Sequence, residues 1–170
     1  MSTVEAWLRG PVPGYPAELL PVVHALIQAS EDVERLATTV PDDHVWERPG
    51  GAASIGFHVR HLGGALDRLS TYARGEALSD VQKAALRTEE SPGDPPESLR
   101  QVVDRTHAVI ARVLAQLRAT APDDLLQART VGRAALPSTT LGLLFHAAEH
   151  STRHAGQAIT TARILGGGSR

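Results

Sequence analysis

The chain has 170 residues, a formal charge of -2, eight histidines and no cysteine. A nearly balanced charge excludes a nucleic-acid binder that works by neutralising phosphates, and the lack of cysteine excludes disulfides, thiolate metal sites and a cysteine nucleophile. No basic N-terminal region precedes an apolar run and no stretch approaches the roughly 18 apolar residues of a membrane span, which predicts a cytoplasmic protein with no membrane partner.

One domain is expected at this length. With aromatic residues at only 4%, its core should be aliphatic and helical. Residues 1–16 hold Trp7, Leu8 and the run Gly10-Pro11-Val12-Pro13-Gly14-Tyr15-Pro16, which reads as an extended or turning arm. From 17 to about 40, Leu19, Val22, Val23, Leu26, Ile27, Val33, Leu36 and Val40 recur at helical spacing. Pro21 is tolerated in the first turn of that helix, where a missing N–H costs little, and Pro41-Asp42-Asp43 stops it. Trp46-Glu47-Arg48-Pro49-Gly50 is a loop with one large apolar anchor.

Ser54 can cap a second helix running to about 74, where Gly75 suits the end. Its inward positions are Ile55, Phe57, His58, His61, Leu62, Ala65, Leu69 and Tyr72. A short helix is expected over 80–89, followed by the break at Pro92, Gly93, Pro95 and Pro96. A third long helix runs from about 96 to 119, with Pro96 favourable near its start. Residues 127–136 read as a short extended excursion or hairpin. Pro137-Ser138-Thr139 then opens a fourth long helix to about 165, ended by Gly166-Gly167-Gly168. Four long helices without an internal repeat predict an all-α four-helix bundle over 17–165, after an arm at 1–16 and before a flexible tail at 166–170.

Five of the eight histidines fall on two of these helices. His146, His150 and His154 follow one another at four-residue intervals, so each lies one turn above the last with only about 40° of drift. His58 and His61 sit on the second helix. Neutral imidazole is a good ligand for zinc, nickel, iron or copper, and two helices presenting imidazoles to one interior can form a divalent-metal site. His150 and His154 share a face at a separation that one ion can bridge. His61 and His58 compete for the third place. Phe57 and Leu62 make the face of His61 the buried one, while His58 is a fourth ligand, an acid or base beside the site, or packing. His146 lies about 11–12 Å along the axis from His154, so all three histidines of the last helix cannot bind one ion. His146 is therefore assigned a place beside the metal or facing substrate.

His146-x-x-Glu149-His150 also matches an inverted zinc-hydrolase pattern, in which Glu149 would activate water. Against this, Glu149 is spaced to pair with Arg153, and only 20 residues follow His150 to supply another ligand. Arg60 and Arg68 read as solvated helix-face charges, Gly156 as a point of close packing, and Gln157 as a polar residue able to reach the loop at Trp46. His24 could approach the interior, while His44 and His107 read as loop and surface residues.

The chain resembles the DinB/YfiT-like superfamily of bacterial four-helix-bundle proteins. The likeness rests on Gly14-Tyr15-Pro16, on Ser54-Ile55-Gly56-Phe57 followed by His61-Leu62, and on the closing run from Leu143-Leu144-Phe145 through His146, Glu149, His150 and His154 to Gly156-Gln157. The resemblance implies a metal triad of His61, His150 and His154, with zinc or nickel as the ion. It also implies a homodimer and, as in some members, group transfer or isomerisation with a low-molecular-weight thiol such as bacillithiol or mycothiol. His58 stands where the family more often has an aliphatic residue, and His146 is outside the usual triad. The expected function is a metal-dependent hydrolase or thiol-dependent transferase acting on a small molecule, with His58, His146 and Glu149 as candidate catalytic groups. The competing expectation is a non-catalytic, stress-related dimeric bundle that binds metal.

Overall fold

The structure is a computed structural model that describes residues 4–166. Residues 1–3 of the expected arm and 167–170 of the expected tail lie outside the described residues. Helix α1 spans Leu20–Thr39, with Pro21 in its first turn and a single 3₁₀ turn, Ala17–Leu19, leading into it. Helix α2 spans Ile55–Ala73 and starts where the Ser54 hydroxyl accepts from the Phe57 amide at 3.1 Å. The short α3, Asp80–Arg87, is capped reciprocally by Ser79 and Gln82. Helix α4, Leu99–Ala119, begins later than Pro96 suggests, because Ser98 and Gln101 form a second capping box that satisfies its first free amides.

The weak segment before the last helix is a hairpin. Strand β1, Ala128–Val131, pairs antiparallel with β2, Leu136–Thr139, with Ala128 opposite Thr139 and Val131 opposite Leu136. Pro137 and Ser138 therefore belong to a strand instead of the helix start. Helix α5, Thr140–Leu165, is capped by the Thr139 hydroxyl, which accepts from Gly142 N at 3.0 Å. The arm is also less extended than its prolines imply: Ala6–Arg9 form a 3₁₀ turn that buries Ala6.

Helices α1, α2, α4 and α5 make the bundle. Both α1 and α2 pack against α4 and α5, and the aliphatic positions spaced by three and four, such as Leu26, Val33, Leu62, Leu66, Leu117 and Leu144, form the buried interior. No helix among the described residues is long and apolar enough to cross a membrane.

Helices α2 and α4 meet at Gly63. A Cβ there would lie 2.9 Å from Thr106 Oγ1 and 3.3 Å from its Cα, and the Thr106 hydroxyl reaches Val59 O at 3.1 Å across the same contact. Gly63→Val should therefore destabilise by about 1–3 kcal/mol through overpacking. Thermal unfolding is the check, at roughly 2–4 °C of melting temperature per kcal/mol for this size. A variant as stable as the parent would mean that the two helices can separate freely at this point.

Candidate metal centre

The contact between α2 and α5 carries the histidines. His61, His150 and His154 each offer a ring nitrogen, and these nitrogens all lie within 4.8 Å of one another. His61 Nε2 is 3.0 Å from His150 Nε2. Two nitrogens on a tetrahedral zinc at the usual bond length are about 3.3 Å apart, so this spacing is close to what a shared ion requires. The His154 ring centroid is 4.5 Å from each of the other two. Phe57 lies over the group, stacked on His61 at 5.2 Å.

The structure corrects the burial expected for helix α2. His58 is the deeper residue, 7% exposed, while His61 is half-buried and lines a cleft. His58 Nδ1 lies 3.1 Å from His154 Nδ1, so one of these rings carries the proton that the other accepts. His146 is exposed. Its ring centroid is 5.5 Å from that of His150, and its Nδ1 is 3.4 Å from Glu149 Oε2. Glu149 also accepts from Arg153, which leaves this carboxylate on the flank of α5.

Electrostatics favour the ligand form of these rings. Burial, reinforced by the neighbouring His61, lowers the pKa of His58. Burial and then His61, His146 and Arg153 lower that of His150, against a smaller opposing effect of Glu149. Burial and the surrounding His61, His150, His58 and Arg153 push His154 down to about 3. Neutral imidazoles have a lone pair free for a cation. His150 Nδ1 is buried without a hydrogen-bond partner among the described residues. An all-nitrogen, converging donor set fits a divalent transition-metal ion.

Glu89 escaped the reading from sequence. It is 4% exposed and follows α3, with Oε2 2.6 Å from His61 Nδ1 and Oε1 2.5 Å from Arg68 NH1. Burial works against its charge, but the hydrogen bonds from His61 and Arg68 outweigh burial and hold the carboxyl below its usual pKa. Nothing in sequence separates Glu89 from the exposed Glu90 beside it. The only local signal is Gly64, whose missing side chain leaves the space that the Glu89 carboxylate fills.

The arginines also depart from a solvated face. Arg68 is committed to Glu89. Arg60 donates to Glu97 at 2.5 Å, lies 4.3 Å over the Trp46 ring, and reaches the Thr88, Glu89 and Ser91 carbonyls. Trp46 donates to Glu97 O at 2.7 Å and does not take up Gln157, which is exposed. Gly156 faces open space, so close packing does not explain it. His24 turns to Gly10 O at 3.0 Å, away from the group, and His107 reaches Ser30 O at 3.1 Å.

A cleft of about 270 Å³ opens on the group. His61 and His150 line it together with Arg68 and the mostly apolar Ala65, Leu69, Tyr72, Leu78 and Leu86. A larger cleft of about 900 Å³ lies between the N-terminal turn and α1 and includes none of the clustered histidines.

Residues 25–158 match the family model described as the DinB superfamily. The crystal structure of a conserved protein from Enterococcus faecalis is similar in fold, with a TM-score of 0.66, at 18% sequence identity. The match covers 88% of this chain and 97% of that one. No curated protein matches the sequence.

Proposed function

The chain belongs to the DinB superfamily, and from that premise we propose a metal-dependent enzyme in which His61, His150 and His154 hold a divalent ion, zinc or nickel. The observation that carries this reading is the convergence of three ring nitrogens within 4.8 Å, two of them from residues, His61 and His150, that line an open cleft. A closed, purely structural site would have no such opening. When bound, the ion supplies Lewis acidity that lowers the pKa of a coordinated water or thiol towards neutrality.

The chain's own residues divide the remaining work. If His154 held the ion through Nε2, its Nδ1–H would donate to His58 Nδ1, which would fix the His154 ring and make the buried His58 its acceptor. His146 and Glu149, on the flank of α5, are the remaining candidate catalytic groups. The apolar walls of the cleft suit a small organic substrate with an apolar part. Because the protein has no cysteine, thiol chemistry here would use a low-molecular-weight thiol as co-substrate. Hydrolysis and thiol-dependent transfer are the two reactions to assay.

The test begins with elemental analysis of untagged protein purified without added metal, followed by titration with zinc and nickel. One equivalent bound per chain is expected, with turnover of ester or thiol-transfer substrates that chelation abolishes. Failure to bind either ion would sink the reading. Tight binding with no turnover across both substrate classes would instead favour a metal-binding bundle without catalysis.

A further inference from the structure

We propose that Glu89 is a positioning residue for the metal centre: its carboxylate holds His61 in the tautomer, and at the angle, in which Nε2 faces His150. This deepens the proposed function and rests on it. Three independent features of the structure converge on this role.

An ionised carboxylate can only accept hydrogen bonds. At 2.6 Å from Glu89 Oε2, His61 Nδ1 must therefore carry a proton. In the neutral ring the lone pair is then on Nε2, the atom 3.0 Å from His150 Nε2. Without the carboxylate, nothing else among the described residues holds Nδ1, and the ring is free to turn or to move its proton to Nε2. Such a tautomer points an N–H at the site and cannot ligate.

The carboxylate is also built in. Its second oxygen is 2.5 Å from Arg68 NH1, one helix α2 residue that compensates its charge in a 4%-exposed position. Arg60, from the same helix, reaches the backbone carbonyls of Thr88, Glu89 and Ser91 and thereby ties down the turn that delivers the side chain. Gly64 completes the slot: a Cβ at that position would overlap Glu89 Oε1 and crowd Arg68 NH1. Two arginines and a glycine on α2, spaced along the face that also bears His61, all serve one carboxylate.

Glu89→Gln is more than a conservative change. Arg68 always donates, so the new carboxamide must turn its oxygen to Arg68 and its NH₂ to His61. That NH₂ requires a lone pair on Nδ1, which drives the proton to Nε2. Gly64→Ala is a second route to the same end. It keeps the charge of Glu89 and favours the helix, but its methyl displaces the carboxylate from the slot.

The experiment compares full-length parent, Glu89→Gln, Gly64→Ala and a Glu90→Gln control. Zinc affinity is measured against a competing chelator, and the His61 tautomer is read from long-range ¹H–¹⁵N correlations in metal-free protein. Glu89→Gln and Gly64→Ala should each weaken zinc binding about 10- to 100-fold, the range usual for such outer partners, while Glu90→Gln stays within twofold of parent. The metal-free parent should show His61 protonated on Nδ1, and Glu89→Gln should show it on Nε2. Affinity within twofold of parent in both site variants, or an unchanged His61 tautomer in Glu89→Gln, would overturn the proposal. A parent that binds no metal sinks the metal reading, whereas the tautomer comparison is read without metal and still decides whether Glu89 orients His61.

Discussion

Alanine at His61, His150 or His154 should each abolish stoichiometric zinc or nickel binding while leaving the helical circular-dichroism signal intact. Loss of one of three nitrogens leaves a two-point site, and the expected drop in affinity is about a hundredfold or more, beyond the range typical of outer partners. The fold should survive because the bundle is held by aliphatic packing of α1, α2, α4 and α5, and because each alanine favours the helix it sits in. Stability supplies an independent readout. Ion at about 100 times its dissociation constant adds about 2.7 kcal/mol to a protein that binds it only when folded. That is roughly 5–11 °C in melting temperature at 2–4 °C per kcal/mol, and it should vanish in all three variants. His58→Ala and His146→Ala should retain binding. Full occupancy in any of the three ligand variants would show that the wrong imidazoles were chosen, and loss in His146→Ala would bring the inverted hydrolase pattern back.

The metal-free protein should lose stability as pH falls from about 6.5 towards 4. His154 stays neutral in the fold down to about 3, and burial also lowers His58 and His150. In the unfolded chain each imidazole binds a proton near its ordinary value of about 6.5. Over this window the unfolded state holds more protons than the native state, so stability rises with pH and is lost on acidification. Each imidazole kept neutral contributes at most about 1.4 kcal/mol per pH unit, and His154 alone on the order of 2 kcal/mol between pH 6.5 and 4.5. Urea unfolding midpoints at pH 7, 6 and 5 in the presence of chelator measure the slope. His154→Leu should flatten it by about one proton. A midpoint independent of pH over this range would mean that the cluster already takes up protons in the folded state.

Much of this fold is legible in the sequence. The three-and-four spacing of Leu, Val and Ile places the four long helices, because a helix repeats every 3.6 residues and must cover one face. Ser54 and Thr139 mark two helix starts, since their hydroxyls satisfy amides that the helix leaves free. The four-residue spacing of His150 and His154 stacks two imidazoles on one face by local geometry alone. The departures from that pattern are equally local. Pro96 suits a helix start, but the Ser98–Gln101 capping box, which begins two residues on, satisfies more amides and takes the boundary. Pro137 and Ser138 look like helix openers and are held instead in β2 by pairing with β1.

The sequence by itself therefore determined an aliphatic four-helix bundle with two histidine-bearing helices, because those features depend on neighbours within a few positions along the chain. The tertiary structure alone decided which imidazoles meet, with His61 beside His150 and His58 behind His154. It alone chose Glu89 over Glu90, because the turn after α3 must dock on α2 before a carboxylate can enter the slot at Gly64. Such partners lie 28, 89 and 96 positions apart in the chain, and separations of that size leave no periodicity to read: they are set only when packed helices bring their faces into register.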